Sequence, residues 1–202
     1  MKVLVVYYST YGNVHRMAQL VAEGVREVEG GEPVVRRVPE LIPDSVIESR
    51  EDMKAGRDVQ RDVPLVTLED FREADAIAFG TPTRYGNVSA QLKNQIDQLG
   101  GLWLEGVLEG KPAGVFVSTA TLHGGQETTA LTLMAPLLHL GLVVVGVPYS
   151  NQELFTTKGG GTPYGPSHVA GPQNDRELDP EEAALCRALG RRLAQIGLKL
   201  KG

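Results

Sequence analysis

The feature that most constrains this chain is its first segment. Lys2-Val3-Leu4-Val5-Val6-Tyr7-Tyr8 is an unbroken β-branched and aromatic run. Such a run suits a strand buried on both faces, as in a parallel sheet, rather than the alternating pattern of a half-exposed strand. It passes through the polar turn Ser9-Thr10-Tyr11-Gly12-Asn13 into Val14, Met17, Ala18, Val21, Val25 and Val28, which recur at helical spacing. The spacing predicts an amphipathic helix over 14–29, ended by Gly30-Gly31.

This strand–helix alternation recurs along the chain. Residues 33–38, 75–80, 112–118 and 142–147 read as further strands. Residues 88–99 and 128–140 read as helices, the latter tilted or interrupted by Pro136. Asp179-Pro180-Glu181-Glu182 supplies an N-cap, a first-turn proline and a glutamate three residues after the cap, which predicts a final helix. Its buried face comprises Leu185, Ala188, Leu189, Leu193 and Ile196, with Cys186 as a small core residue. Five strands alternating with helices imply right-handed crossovers and a parallel sheet covered on both faces. The expected class is α/β, a single domain over 1–202, enlarged by insertions at about 39–67 and 148–178. From Glu48 to Asp62 nine of fifteen residues are charged. That stretch reads as a solvated surface insertion or as a loop that orders against a partner subunit.

Composition removes several function classes. Cys186 is the sole cysteine, which excludes an internal disulfide framework and a cysteine-rich zinc site. No His/Asp/Glu cluster has metal spacing, so no metal is expected. A net charge of −5 argues against a nucleic-acid partner. No apolar run approaches the roughly 20 residues of a membrane span, and the N-terminus enters a strand without signal-peptide architecture. A cytoplasmic protein is expected. Glycine and proline total 36 residues, about 18% of the chain against an average of about 12%.

In doubly wound sheets ligands bind beyond the carboxyl ends of the strands, and the glycines concentrate in loops at that end. The first, Ser9 to Asn13, offers two hydroxyls, a glycine and free N–H groups at a helix start, which suit a phosphate. Neither G-x-x-x-x-G-K-[ST] nor G-x-G-x-x-G follows the strand, which disfavours a triphosphatase and a dinucleotide fold. The second loop, Gly80-Thr81-Pro82-Thr83-Arg84-Tyr85-Gly86-Asn87, carries an Arg and a Tyr. The third is Ser118-Thr119-Ala120-Thr121-Leu122-His123-Gly124-Gly125-Gln126, whose small residues let backbone approach a flat ligand. One loop suits a phosphate and two suit a planar ring with polar edges, so a mononucleotide is the economical inference and FMN the best candidate.

The same segments resemble the WrbA family of flavodoxin-like NAD(P)H:quinone oxidoreductases along nearly the whole chain. The matching segments are Tyr7 to Asn13, Phe79 to Asn87, Gln98-Leu99-Gly100-Gly101-Leu102-Trp103, His123-Gly124-Gly125-Gln126-Glu127 and Gly160-Gly161-Thr162-Pro163-Tyr164-Gly165. The resemblance implies a flavodoxin-like three-layer sandwich, a five-stranded parallel sheet of order 2-1-3-4-5, and non-covalent FMN. It implies that Ser9, Thr10, Tyr11, Gly12, Asn13 and Val14 hold the phosphate. Pro82, Thr83, Arg84 and Tyr85, with Ser118, Thr119, Ala120, Thr121, Leu122, His123 and Gly124, would flank the isoalloxazine. It implies a homotetramer whose flavin pockets are completed by neighbouring subunits, with Trp103 and His139 contributing. The family usually has Gly where this chain has Ala120, and the methyl is expected to alter a positive backbone angle or crowd the ring edge.

Individual residues carry alternatives. Trp103 is either partly buried core or an aromatic wall for a quinone or nicotinamide. Tyr11 either caps the phosphate loop or also contacts the nicotinamide nucleotide. His139 sits where a helix dipole favours it anyway. His123 either donates to the flavin edge or is exposed. Arg84 either offsets charge on the reduced flavin or pairs on the surface. His15 and His168 are expected to be solvated. The implied activity is two-electron reduction of quinones to hydroquinones by NADH or NADPH, in ping-pong order, with the chemistry carried by the flavin and no catalytic side chain. A one-electron carrier of the flavodoxin type is the alternative, disfavoured by the two insertions and Trp103. A phospho-acceptor module would need an Asp cluster at strand ends that here read Tyr8-Ser9 and Gly80-Thr81.

Overall fold

The opening run does bury both of its faces. Val3, Val5 and Tyr7 enter one hydrophobic cluster, while Leu4, Val6 and Tyr8 enter the other. The computed structural model describes residues 1–201. In chain order its elements are β1 (Lys2–Tyr7), α1 (Asn13–Arg26), β2 (Glu32–Arg37), α2 (Asp44–Glu48), α3 (Glu51–Asp58) and α4 (Leu68–Glu73). Then come β3 (Ala76–Pro82), α5 (Ala90–Asp97), α6 (Gly100–Leu104), β4 (Pro112–Thr119) and α7 (Gln126–His139). The last are β5 (Val143–Val144), α8 (Glu153–Thr156), β6 (Ser167–Val169) and α9 (Pro180–Leu200).

The sheet order is β2-β1-β3-β4-β5, with β6 pairing on β4. All these pairs are parallel, and Leu4 lies opposite Val34 on one side and Ile77 on the other. One cluster packs Phe71, Leu92, Leu99, Leu133 and Leu137 from α4, α5, α7 and the turn after α5 onto the sheet. The opposite cluster packs Val14, Met17 and Val21 of α1 with Leu185, Leu189 and Leu193 of α9. This is the flavodoxin-like three-layer arrangement with the expected strand order and one added short strand. Gly24 and Gly190 let α1 and α9 meet backbone to backbone, because a methyl at Gly190 would run into the Val21 carbonyl and one at Gly24 into that of Arg187.

Two expectations need correction, and a third gains detail. The fifth strand is shorter than 142–147. The Val145 N–H still donates to the Ala113 carbonyl at 2.7 Å, but the Val147 N–H turns to Pro163 at 2.9 Å. The late glycine-rich segment takes the vacated edge, and Ser167, His168 and Val169 pair with Val117, Ser118 and Thr119. The 39–67 segment is exposed along most of its length, as a solvated insertion would be, but it is not irregular. It folds as α2 and α3 with Ile47, Met53 and Gln60 buried. Finally, His168 is fully buried rather than solvated, and its Nδ1 lies 2.8 Å from a buried Glu182 carboxylate oxygen. His15 is half-buried, with Nδ1 2.7 Å from the Tyr7 hydroxyl. Burial and the neighbouring Arg16 charge lower its pKa.

Glu182 does more than close the capping box with Asp179. It accepts from the Gly160 N–H at 2.7 Å, the Val169 N–H at 3.2 Å and Arg176 Nη1 at 2.9 Å. Burial opposes its ionisation, but the hydrogen bonds from His168 and Arg176 outweigh that and bring its pKa down to about 2. One carboxylate thereby pins Gly160, His168, Val169 and Arg176 of the late loop to the start of α9.

Candidate active site

The loops after β1, β3 and β4 meet around a cavity of about 240 Å³. Ser9, Thr10, Tyr11, Asn13 and Val14 line it from the first loop, Pro82, Thr83 and Arg84 from the second, and Ser118, Thr119 and Ala120 from the third. Asn174 closes the remaining side.

The first loop leaves the sheet where the Tyr8 N–H makes its last strand bond, to Gly80 at 3.0 Å. Gly12 then takes φ +88° as the N-cap of α1, with no side chain capping the helix. A helix start leaves up to four N–H groups without intrahelical partners, and the first turn of α1 carries no acidic residue. The buried Ser9 hydroxyl has no hydrogen-bond partner among the described residues. An orphaned buried hydroxyl beside an uncapped helix start fits a phosphate, whose oxygens accept from both. The residues present therefore fit FMN at its charged end. Arg84 adds a cation, its Nη2 donating to Thr10 Oγ1 at 2.7 Å.

The second loop is a tight reverse turn. The Arg84 N–H donates to Asn87 at 2.8 Å and the Asn87 N–H returns to Arg84 at 3.0 Å. Tyr85 and Gly86 between them have φ of 55° and 78°. Two successive positive angles define the turn that matches strand twist and favours Gly at the second place. Tyr85 nonetheless occupies the first, with its side chain fully exposed. Thr83 fixes the base of the turn, accepting from the Gly86 N–H at 3.1 Å and from Thr129 Oγ1 at 2.8 Å.

The third loop is stapled internally, Thr119 Oγ1 donating to Thr121 at 2.9 Å and the Gly124 N–H to the same carbonyl at 3.0 Å. Ala120 is exposed and outside the left-handed region, so of the two expected effects of its methyl the altered positive angle does not arise. Leu122 and His123 turn away from the cavity to line a second, open groove with Gln126 and Lys158.

Trp103 and His139 come together with Asp97, Ala135 and Pro136 around a separate hollow of about 460 Å³. His139 ends α7, whose opposite end carries the third loop. Thirteen helical steps at 1.5 Å place the two ends about 20 Å apart. Within one chain these two residues therefore stand apart from the cavity. Trp103 is 53% exposed, which removes it from the core reading.

Asn174 was missed by sequence reasoning. The available signal was its type, since Asn tolerates φ > 0 in turns. It has φ 58° and receives a long bond from Asn13 Nδ2 at 3.5 Å. No helix of the described residues is long and apolar enough to cross a membrane, and no group of His, Cys, Asp and Glu among them could hold a metal.

Similarity to known proteins agrees with this geometry. The chain is 49% identical over 204 residues to a protein of Geobacter sulfurreducens named NAD(P)H dehydrogenase (quinone), with all of both chains covered. It is 46% identical to one of the same name from Geotalea uraniireducens, with 99% of each covered. Among solved structures it resembles the flavodoxin, WrbA-like protein of Agrobacterium tumefaciens, with TM-score 0.68, 24% identity and 98% of each chain covered. Flavodoxin 1 of Bacillus cereus has TM-score 0.59, 18% identity and coverage of 96% and 98%. These two likenesses concern the fold. Residues 1–155 match the family described as NADPH-dependent FMN reductase, and with the full-length relatives this shows that the chain belongs to that family.

Proposed function

We propose that this protein is an FMN-dependent NAD(P)H:quinone oxidoreductase, reducing quinones to hydroquinones with electrons from NADH or NADPH. The observation that carries the reading is the partnerless Ser9 hydroxyl beside the uncapped start of α1, in a chain whose full-length relatives bear the name NAD(P)H dehydrogenase (quinone). Ser9, Thr10, Gly12, Asn13 and Val14 hold the phosphate, and Tyr11 borders it. Pro82, Thr83 and Arg84 with Ser118, Thr119 and Ala120 flank the ring, while Leu122 and His123 border the neighbouring groove. FMN, when bound, would supply the two-electron chemistry that links nicotinamide to quinone, with the second proton of the hydroquinone coming from solvent.

The chain's own residues bind and orient. Arg84 places positive charge at the cavity and ties two of its loops. Thr83 and Thr119 hold the two turns that would border the ring. Asn174 limits solvent on the side facing the late loop. We assign the whole of 1–202 to one domain whose two insertions serve the site. The hollow bearing Trp103 and His139 presents a half-exposed indole and an exposed imidazole. It supports a homotetramer in which these residues complete the pocket of a neighbouring subunit and face the quinone. A cytoplasmic location accords with the substrates.

The visible spectrum of the purified protein tests the reading. A flavin band that bleaches on anaerobic NAD(P)H and returns with benzoquinone is expected. A protein that stays colourless when mixed with FMN overturns it, and a flavin reduced only through a separate reductase makes the chain a carrier. Double-reciprocal plots should be parallel, and intersecting lines would exclude a shared pocket. A monomer by light scattering at working concentration removes the subunit-shared site.

A further inference from the structure

The charged segment 48–62 has a role beyond surface coverage. Gly56, Val59 and Gln60 stand at i, i+3 and i+4 on and just after α3, which puts them on one face. That face seats on the phosphate loop. Gly56 lies so close that a methyl would meet the Thr10 carbonyl and approach Tyr11 Cα to 2.6 Å. Val59 Cγ2 lies 3.2 Å from where a methyl on Gly12 would sit. Gln60 is buried, and its Nε2 donates to the Ser9 carbonyl at 2.8 Å and to the Gly56 carbonyl at 2.7 Å. Both amide hydrogens are thereby used, so the side chain has one orientation. Of the nine charges, Arg50 also meets the loop, its guanidinium 5.9 Å from the Tyr11 ring centroid, while others pair among themselves. Arg57, for example, pairs with Glu48 and Asp44, while Arg61 pairs with Asp58.

We propose that Gln60 is a positioning residue for the cofactor's phosphate, fixing the carbonyl of Ser9 so that the Ser9 hydroxyl and the α1 N–H groups converge on one point. The proposal rests on the FMN reading above. Beyond Tyr8 the loop has left the sheet, and Gln60 supplies the bond that a neighbouring strand supplies to the residues before it. Gly56 makes that bond possible by letting helix and loop backbones touch.

The full-length apoprotein is titrated with FMN and, separately, with riboflavin, following flavin fluorescence. Gln60→Met keeps the side-chain length and removes both donors, while Gln60→Asn draws the amide back by one methylene. In Gln60→Met the dissociation constant for FMN should rise roughly 10- to 100-fold, and that for riboflavin by less than about twofold. Gln60→Asn should fall between it and the parent, and it carries the test alone if Gln60→Met does not fold. Arg61→Ala, on the outer face, should leave both constants unchanged. Equal losses for FMN and riboflavin would reduce Gln60 to a structural residue and overturn the proposal, as would no loss for FMN. A parent protein that binds FMN no tighter than riboflavin overturns the phosphate cradle itself, a failure visible before any variant is made.

Discussion

Arg84 Nη2 donates to Thr10 Oγ1 at 2.7 Å, joining two loops that are 74 residues apart in the chain. The bond brings a cation to the rim of the phosphate loop and uses a hydroxyl that otherwise faces the cavity. Arg84→Ala should therefore weaken FMN binding by about tenfold or more, since hydrogen bonds to charged groups contribute about 1.5–3 kcal/mol. The loss should shrink as salt is raised, because the guanidinium is only partly buried. A titration at two ionic strengths checks both statements.

Tyr85 is held at φ 55° while fully exposed. A left-handed angle costs a side-chain-bearing residue about 1–2 kcal/mol. Tyr85→Gly should thus raise the urea midpoint, offset in part by the greater freedom of glycine in the unfolded chain. If the ring contacts the flavin or its substrate, turnover should fall in the same variant. A stability gain with unchanged kcat/KM would leave the tyrosine without a role in the pocket.

The glycines should separate into classes under substitution. Gly190→Ala drives a methyl into the Val21 carbonyl at the α1–α9 contact and should cost at least about 2 kcal/mol. Gly100→Ala, in α6, meets nothing within 4 Å and has an ordinary φ, so it should stabilise by up to about 1 kcal/mol. Thermal unfolding of the two variants beside the parent gives the comparison.

Glu182 predicts an acid limit. Its folded pKa, about 2, lies below the ordinary value of 4.5. The stability linked to it is therefore fully present above pH 4.5 and is lost as pH falls through about 2. Glu182→Gln should be less stable at neutral pH by about 3 kcal/mol, because Arg176 loses a buried partner. Its stability should also vary less between pH 4.5 and 2. Urea unfolding across that range decides the point, and parallel curves for both proteins would contradict it.

The parts of the molecule visible in the sequence were those in which one local pattern carries the whole message. The run Lys2 to Tyr8 announces a doubly buried strand because each of its residues reports its own surroundings. Gly12 marks the helix start because only its backbone freedom fits there. The cap formed by Asp179, Pro180 and Glu182 is legible within four residues. The second duty of Glu182 is not, because its partners Gly160, His168 and Val169 arrive from a distant loop. His168 looked solvated for the same reason, since an imidazole says nothing of a buried carboxylate 14 residues away. The face of α3 escaped notice because glycine, valine and glutamine make no apolar stripe among nine charges. The fifth strand was overread because Val145 and Val147 are buried as a strand would bury them, although Val147 hydrogen-bonds elsewhere. Trp103 and His139 were legible as a pair only through family resemblance, and one chain places them together but far from the cavity.

Each margin of the sheet is met by further backbone of the same chain, at the Arg37 end of β2 and along β4. Outside β2 the segment Pro64 to Val66 lies alongside, taking the Arg37 N–H at 3.1 Å and returning the Val66 N–H at 3.0 Å. On the other margin β4 is shared between the two residues of β5 and the three of β6. On the β4 margin no long unpaired ladder is left for a second molecule to extend, whereas the outer edge of β2 is met only at Arg37. Growth of the sheet from copy to copy is therefore hindered on the β4 side by two short strands of the same chain. The helical faces, with Trp103, Leu104 and Leu138 exposed on α6 and α7, are left as the apolar ground where copies could meet.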